Sequence, residues 1–516
     1  MRLGIDFGTS RTVVSVADRG NYPIVQFRAG KEDWFPWYPS VIGCREGLLR
    51  YGFEAEELVS APSSFLLPSF KRLLRSTSPH QEVDLGGQVR VSMLELLTGF
   101  CLSLKTALQQ KSNLAVPEDG LEAIIAVPAH ANSNQRYLTL EAFRRAGFTV
   151  PEMVNEPSAA GIEYTHQYLR QKGKRGQREY LAVYDWGAGT FDSAIIRISD
   201  LSHEVMATQG VSRLGGDDLD EIMLSMALEK SGLPRPESTG DLALLLEECR
   251  EAKERLRPQS KKLFLDFSAV YPESESIALT VPDFYRATEP LVRRTVEVLE
   301  GVLRQACDTP PPQEEKRAPN PAAIYLVGGS SNLPQIEWCL RDVYGRRTQK
   351  SPYPHASTAI GLAILADPQS GMELQEKVTR HFGVWRERQG GGQKNFDLIF
   401  PKDLLNPEQG TLLRETRTYR PYHNIGHFRF LECTSLDGDG QPQGNITLWE
   451  EIFFPFDADL RERRSFSAEE IHRSDRYQSS LIEEVYVCDA HGIMQVELIN
   501  HTEGYRRIFS LKPVSF

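Results

Sequence analysis

Three glycine-bearing turns, each next to an apolar run, are the segments of this sequence best suited to chemistry. They are Asp6-Phe7-Gly8-Thr9-Ser10, Asp185-Trp186-Gly187-Ala188-Gly189-Thr190 and Val327-Gly328-Gly329-Ser330. Glycine lets a ligand approach the backbone closely, and successive N–H groups in such turns form concave sites for phosphate. One turn of this kind is more often a plain hairpin. Three of them in one region predict a phosphate-binding site.

Two of these turns begin with an acid, Asp6 or Asp185, and carry a threonine hydroxyl further on, at Thr9 or Thr190. Carboxylates that face a phosphate repel it unless a divalent cation lies between them. We therefore predict that Asp6 and Asp185 are ligands of Mg²⁺, either directly or through its bound waters.

The elements that must position these turns alternate between strands and helices. The predicted strands are Leu3–Phe7, Thr12–Ala17, Leu121–Val127, Tyr180–Tyr184, Phe191–Ile198 and Ala323–Val327. The predicted helices are Asn134–Ala146, Asp217–Lys230, Asp241–Arg257 and Asp283–Ala306. Such alternation is typical of a layered α/β domain. Two polar segments, Arg170–Glu179 and Thr309–Pro321, are predicted to be exposed loops.

After about Asp367 the pattern changes to short strands separated by turns. The predicted strands are Asn395–Phe400, His427–Cys433, Asn445–Phe454, Leu481–Val487, Ile493–Ile499 and Arg506–Leu511. This pattern predicts an all-β module. The charged segment Asp457–Gln478 is either a long loop or a short solvated helix. We place the domain boundary near residues 367–380.

Composition excludes several classes of protein. The 516 residues include 59 basic and 70 acidic side chains, a net charge of −11 that argues against generic nucleic-acid binding. No apolar run is long enough for a membrane helix. Asp6 lies where a secretory signal would need apolar residues. Seven scattered cysteines without a CxxC pair predict neither a zinc site nor a disulfide framework. We therefore expect a soluble, cytoplasmic protein.

Further motifs carry a resemblance to a known family. They are Val127-Pro128-Ala129 with Gln135-Arg136, Asn155-Glu156-Pro157-Ser158-Ala159-Ala160, Leu214–Asp220, Ala252-Lys253 and Val327–Pro334. Together with the glycine turns, the set resembles the heat shock protein 70 (DnaK-like) chaperones of the actin/hexokinase/heat-shock ATPase superfamily. The resemblance implies an α/β actin-like ATPase domain over 1–366, with two lobes and the nucleotide in the cleft. It further implies a linker over 367–380 and a β-sandwich-like domain over 381–516.

The resemblance also implies roles for individual residues. Lys71 would orient the attacking water, Glu156 would lie near that water, and Thr190 and Asp185 would complete the catalytic set around ATP. Asp6, Asp185 and Asp192 would hold Mg²⁺. The nucleotide contacts would be Gly8, Thr9, Ser10, Gly187, Ala188, Gly189, Thr190, Gly215, Gly216, Lys253, Gly328, Gly329 and Ser330. In the family, Pro128, Arg136 and Glu156 couple the nucleotide state to the second domain; a plain structural strand end is the alternative.

Departures from the family pattern concentrate where the base and ribose would bind. Arg250 replaces a ribose-contacting Glu, Glu254 and Asn332 replace two stacking arginines, and Arg257 replaces a Ser. A guanidinium stacks on a purine and a carboxylate does not, so we expect weaker or less selective base binding unless Arg250 or Arg257 compensates. In addition, Ala188 replaces a glycine and His355 replaces an Asp.

The β-rich part resembles the family less specifically. His381–Val384 resembles the start of its substrate-binding domain, and Ile482–Leu511 resembles its last strands, where an extended peptide is held. A β-domain that kept the fold and lost peptide affinity is the alternative. The segment Asp367–Lys377 is polar, with only Met372 and Leu374 apolar, where the family has a leucine-rich linker. From the chain's end at Phe516 we expect no helical lid.

The function predicted from these features is that of an ATP-binding, ATP-hydrolysing, chaperone-like protein. It would engage unfolded or extended polypeptides, with co-chaperones as further partners. The alternative is a nucleotide-gated scaffold that binds one dedicated folded partner, which the altered base site, polar linker and missing lid favour. A sugar or small-metabolite kinase of the same superfamily is a third reading, against which the Asn155–Ala160 motif and the β-module argue.

Overall fold

The computed structural model describes residues 1–30, 32–58, 64–86, 89–117, 120–169, 178–308, 320–388, 393–449, 451–463 and 465–510. The two predicted loops, Arg170–Glu179 and Thr309–Pro321, lie almost wholly outside the described residues. The chain forms two compact units. The first comprises Met1–Leu73, Glu82–His130 and Thr139–Glu376, and the second comprises Leu74–Gln81, Ala131–Leu138 and Lys377–Phe516.

The first sheet of the first unit carries the first glycine turn. The strands up to residue 155 are β1 Arg2–Phe7, β2 Arg11–Val16, β3 Phe27–Ala29, β4 Asp33–Phe35, β5 Tyr38–Pro39, β6 Val41–Arg45, β7 Leu48–Tyr51, β8 Phe65–Pro68, β9 Glu82–Asp84, β10 Arg90–Ser92, β11 Glu122–Val127 and β12 Met153–Asn155. Five of them form a sheet in the order β12-β11-β1-β2-β5. Strands β1 and β2 pair antiparallel and form a hairpin around the first glycine turn. Strand β1 is parallel to β11.

The second sheet of this unit carries the other two glycine turns. Its region contains β13 Arg178–Trp186, β14 Thr190–Ser199, β15 Ser202–Ser212, β16 Lys262–Leu265, β17 Ile277–Thr280, β18 Ala323–Val327, β19 Thr348–Lys350 and β20 Glu373–Gln375. The sheet order is β19-β18-β13-β14-β15-β20. Strands β13 and β18 are parallel, with Asp185 opposite Val327. Because parallel strands end at the same edge, this register brings the second and third turns together.

Helices alternate with these strands along the chain. They are α1 Phe53–Glu56, α2 Met93–Gln110, α3 Ser133–Arg145, α4 Glu156–Tyr164, α5 Gly216–Ser231, α6 Thr239–Glu254, α7 Val281–Asp308, α8 Pro334–Tyr344 and α9 Ser357–Ala366. The four predicted helices are confirmed within a few residues at each end. Local capping explains several boundaries: Ser238 accepts a hydrogen bond at the start of α6, and left-handed Gly232 ends α5. No helix among the described residues is long and apolar enough to cross a membrane.

The second unit is a strand-rich, sandwich-like region, as predicted. Its strands are β21 His381–Arg388, β22 Gln393–Phe400, β23 Leu413–Tyr419, β24 Ile425–Phe428, β25 Phe430–Leu436, β26 Pro442–Leu448, β27 Ile452–Pro455, β28 Ile482–Cys488, β29 Met494–Asn500 and β30 Tyr505–Ser510. Two four-stranded sheets have the orders β22-β21-β25-β26 and β23-β28-β29-β30. Phe382, Phe430 and Tyr486 lie in their shared apolar core.

Two strands predicted as continuous are each divided in the structure, so those predictions were wrong. The run His427–Cys433 ends one strand at Phe428 and begins another at Phe430, and Asn445–Phe454 is divided between Leu448 and Ile452. The halves pair differently: β24 pairs with β27, whereas β25 and β26 join the sheet of β21. Apolar periodicity continues through such a bend, because the side chains on both sides of it remain buried.

The predicted linker region contains ordered structure. A 3₁₀ turn, Pro368–Ser370, precedes β20, which pairs in parallel with β15. Beyond β20 the buried Glu376 accepts hydrogen bonds from Asn155, from its backbone N at 2.9 Å and from Nδ2 at 2.6 Å. Residues up to Glu376 therefore belong to the first unit. The charged segment Asp457–Gln478 contains the 3₁₀ turns Ala458–Leu460 and Ala468–Glu470 and the start of Asp475–Ser479.

Candidate functional site

One cavity in the first unit is lined by all three glycine turns. The cavity has a volume of about 140 Å³ and is open to solvent. Its lining includes Asp6, Gly8, Thr9, Ser10, Lys71, Glu156, Asp185, Gly187, Ala188, Gly189, Thr190, Gly216, Lys253, Gly328, Gly329 and Ser330.

The turns approach one another so closely that glycine is required at two positions. A Cβ added to Gly189 would lie 2.5 Å from Thr9 Oγ1, on the first turn. Gly328 has a φ of +83°, and a Cβ there would lie 2.6 Å from Asp185 Oδ1 and 2.4 Å from the Trp186 carbonyl oxygen. The close approach of the turns at the wall of the cavity therefore depends on glycine at these two positions.

Buried carboxylates lie at the base of the turns. Asp185 is opposite Asp192 across β13 and β14, and both are almost fully buried. Burial, reinforced by the negative charge of Glu156, raises the pKa of Asp6 to about 7. Burial also raises the pKa of Asp185 well above its usual value, with Glu156, Asp192 and Asp6 adding to the shift. This part of the site therefore favours added positive charge.

Lys71 supplies part of that positive charge. Its Nζ donates a hydrogen bond to Glu156 Oε1 at 2.7 Å, and the two side chains are 6% and 12% exposed. Lys71 lies on the 3₁₀ turn Phe70–Arg75, which the buried Phe70 anchors. Glu156 is the first residue of α4, where the helix dipole stabilises an anion. Burial raises the pKa of Glu156, and Lys71 opposes this rise.

The donor set fits a divalent cation. Asp192 Oδ1 accepts a hydrogen bond from the Ala129 N–H and lies 3.0 Å from His130 Nδ1, whereas Asp192 Oδ2 is buried without a hydrogen-bond partner. Within the described ranges, no three His, Cys, Asp or Glu side chains form a set that ligates one ion directly. Mg²⁺ keeps several of its waters in most protein sites, so these carboxylates suit an ion held through its water shell.

A few predicted site residues lie outside the lining of this cavity. Gly215 packs behind it, where an added Cβ would lie 2.1 Å from the Ala188 carbonyl oxygen. Asp192 lies behind Asp185. Of the residues that depart from the family pattern, Arg250, Glu254 and His355 line the cavity, whereas Arg257 and Asn332 do not.

Lys253 and Arg250 are held by the same acid, Asp220, at the α6 side of the cavity. Lys253 Nζ lies 2.6 Å from Asp220 Oδ1 and donates to the Gly216 carbonyl at 2.7 Å. Arg250 pairs with Glu247 at 2.7 Å and lies 3.9 Å from Asp220 Oδ2. Burial raises the pKa of Asp220 to about 6, against the lowering effect of the two cations.

Sequence reasoning missed several lining residues: Arg11, Val13, Trp37, Asp217, Asp220, Pro354 and Thr358. The Arg11 guanidinium lies 4.2 Å from the centre of the Trp37 ring and forms an ion pair with Glu254 at 3.0 Å. Arg11 directly follows the first glycine turn, so its position was a signal that it lies near the site. Nothing in the pattern around Trp37 marks it as a site residue.

The first unit, in which two sheets each contribute glycine turns to one cavity, has an actin-like fold. A family model described as Hsp70 protein matches residues 100–380. Together with the relatives below, this match shows that the chain belongs to the Hsp70 family, whose members are ATP-binding chaperones.

Curated relatives extend the similarity into the second unit. The chain is 31% identical over 397 residues to a "Chaperone protein HscA homolog" of Methylobacillus flagellatus, covering 73% of this chain and 60% of that protein. It is 31% identical over 466 residues to a protein of the same description from Cupriavidus pinatubonensis, covering 84% of this chain and 70% of that protein. The matched parts thus span less than three quarters of these relatives' length.

Proposed function

We propose that the chain binds ATP in this cavity, hydrolyses it to ADP and phosphate, and uses the cycle to engage polypeptides through its strand-rich second unit. The observation that carries the proposal is the buried Lys71–Glu156 pair, which lies among the acids at the base of three glycine turns. The Hsp70 family membership and the chaperone description of the relatives support it. A cytoplasmic location stays a prediction from the sequence.

The proposed nucleotide site assigns the phosphates to the three turns. Backbone N–H groups of the turns would bind the phosphate oxygens, and Thr9 and Thr190 would add hydroxyl donors near the terminal phosphate. Asp6 and Asp185, with Asp192 behind them, would hold Mg²⁺ through its waters. When bound, Mg²⁺ neutralises charge on the phosphates.

Hydrolysis needs a positioned water and a stabilised transition state. Glu156 would accept a hydrogen bond from the attacking water, and Lys71 would orient that water and offset charge that develops on the transferred phosphoryl group. Their mutual hydrogen bond keeps both groups in fixed positions. This preorganisation is the contribution that we assign to these two residues.

The test is ATP turnover by the full chain with Mg²⁺, measured with and without an unfolded apolar peptide. We expect Mg²⁺-dependent turnover that the peptide stimulates. A protein that neither binds nor hydrolyses ATP contradicts the whole proposal. Turnover that no peptide alters contradicts the coupling to polypeptide.

A second candidate function is that of a nucleotide-gated scaffold with one folded partner. It is favoured by the altered base site, where Glu254 and Arg250 line the cavity, and by the polar segment that leads to Glu376. Capture of partners with and without ATP separates the two candidates. Binding of many unfolded clients supports the chaperone, and one stable folded partner supports the scaffold.

A further inference from the structure

Arg11, Trp37 and Glu254 form a cluster in the cavity that none of the roles assigned above includes. Arg11 lies on β2 in the first sheet, and Glu254 is the last residue of α6, 243 positions later. The guanidinium Nη1 lies 3.0 Å from Glu254 Oε1, and Nη2 donates to Oε2 at 3.0 Å. This two-pronged geometry is the strong form of an arginine–carboxylate pair.

Trp37 holds Arg11 in the orientation that this pair requires. The centre of the guanidinium lies 4.2 Å from the centre of the indole ring, within the range of a cation–π contact. All three side chains line the cavity. Arg11 therefore joins the wall formed by the first sheet to the wall formed by α6.

Exposure shows at which end of the cavity the cluster lies. Arg11 is 31% exposed and Glu254 is 46% exposed, whereas Lys71 and Glu156 are 6% and 12% exposed. The Arg11–Glu254 pair therefore belongs to the more exposed part of the cavity lining, and Lys71 and Glu156 belong to the more buried part.

We propose that Arg11, stacked on Trp37 and paired with Glu254, is a latch that sets the rate at which nucleotide leaves the cavity. The inference rests on the proposed function, since it takes a nucleotide as the ligand. Glu254 occupies the position of a base-stacking arginine in the family, and a carboxylate cannot stack on a base. At this position, pairing with Arg11 would replace base stacking. The latch is electrostatic and partly exposed, so salt should weaken it.

The experiment measures release of a fluorescent N-methylanthraniloyl ADP from the full chain with Mg²⁺, chased by excess unlabelled ADP. Glu254→Gln should release the nucleotide about 1.5- to 5-fold faster, the range for a partly exposed ion pair. Arg11→Ala also removes the stacking on Trp37, so it should release the nucleotide about tenfold faster than the natural protein. Raising KCl should accelerate release from the natural protein and have little effect on Glu254→Gln.

Controls separate the latch from a general loss of structure. Glu251→Gln, on the same helix but paired with Arg255 and absent from the lining, should release at the natural rate. The charge-swapped double variant, Arg11→Glu with Glu254→Arg, should restore the ion pair. It should therefore release nucleotide more slowly than Arg11→Glu or Glu254→Arg alone. Thermal melting checks that each variant is folded.

Each outcome bears on one claim. Release at the natural rate from both Glu254→Gln and Arg11→Ala overturns the latch and leaves the proposed function intact. Failure of the natural protein to bind any adenine nucleotide overturns the proposed function, and this inference with it. A Trp37→Leu variant with the natural release rate overturns the part assigned to the indole.

Discussion

Lys71 and Glu156 are 85 residues apart in the sequence, yet their side chains form a buried ion pair with Nζ 2.7 Å from Oε1. The pair connects a 3₁₀ turn to the first residue of α4. Because Asp185 and Asp192 are also buried and Asp6 lies beside them, the positive charge of Lys71 contributes to the charge balance of this part of the site. Removing it changes both the chemistry and the local electrostatics.

Lys71→Met should therefore abolish ATP turnover. We expect the single-turnover hydrolysis rate to fall at least about 100-fold, the effect of losing one preorganised donor at a developing charge. The matched control is Lys111→Met, which breaks an exposed lysine–glutamate pair of similar length, 3.0 Å, and should leave the rate unchanged. A Lys71→Met variant that hydrolyses ATP at the natural rate places catalysis elsewhere.

Asp6→Asn and Asp185→Asn should alter how nucleotide binding depends on the metal. Without a cation, buried carboxylates repel phosphate, so the natural protein should lose ATP affinity when EDTA removes Mg²⁺. The Asn variants remove both the repulsion and the metal site, so their affinity should change less. Calorimetric titration with and without EDTA measures this, with the exposed Asp283→Asn as control. Equal Mg²⁺ dependence in all variants would count against the metal assignment.

Gly328→Ala should weaken nucleotide binding. An alanine at a φ of +83° costs about 1–3 kcal/mol, and the added Cβ would meet Asp185 Oδ1 and the Trp186 carbonyl oxygen. We expect at least about tenfold weaker ATP affinity together with a lower melting temperature. Gly345 also has a positive φ, +59°, but nothing lies within 4 Å of its Cβ position. Gly345→Ala should therefore carry the backbone strain alone and bind ATP normally.

Much of the site could be predicted because its residues occur in short local motifs. The three turns combine glycine with a strand end, and the parallel register of β13 and β18 then brings two of them together. Asp185 and Gly328 can therefore be recognised from the residue types on either side of them. The family resemblance added Lys71 and Glu156, which carry no local signal.

The features that escaped prediction depend on long-range geometry. No pattern links Arg11 to Glu254 across 243 residues, because an ion pair imposes no periodicity on the chain. The division of His427–Cys433 escaped for a related reason: strand pairing, not residue type, ends β24 at Phe428. Likewise, nothing in the polar run before Glu376 indicates that its carboxylate would bind the Asn155 backbone.

The buried Glu163 should make the stability of the first unit depend on pH. The Tyr325 hydroxyl donates to Glu163 Oε2 at 2.6 Å, and burial raises the pKa of Glu163 from 4.5 to about 7. The folded state therefore binds this proton more tightly than the unfolded state. The stabilisation of the folded state by protonated Glu163 is fully present below pH 4.5 and is lost as the pH rises through 7. The loss amounts to about 3 kcal/mol of the free energy of unfolding.

Glu163→Gln should remove this dependence, because the amide stays neutral and still accepts the tyrosine hydrogen bond. Hydrogen exchange of α4, measured from pH 5 to pH 8 and corrected for the intrinsic rate, compares the variant with the natural protein. The exposed Glu221→Gln, which pairs with Arg235, serves as control. A natural protein whose opening free energy stays constant over this range would contradict the assigned pKa.

A buried ion pair in the second unit should behave differently when one partner or both are removed. Arg386 binds Glu484 through two nitrogens, at 3.1 and 2.6 Å, and its Nε lies 2.6 Å from Asp397 Oδ2. Glu484 is fully buried and also accepts the Tyr486 hydroxyl at 2.5 Å. Arg386→Met leaves that carboxylate without its cation and should cost about 3–5 kcal/mol of stability.

The double variant Arg386→Met with Glu484→Met should regain most of the lost stability, because no unpaired charge remains in the core. Urea unfolding followed by hydrogen exchange of β28 measures both variants. Arg506→Met, which removes a largely exposed arginine from its pair with the partly buried Glu497, should cost less than about 1 kcal/mol. If the double variant is no more stable than Arg386→Met alone, the cost does not come from the buried charge.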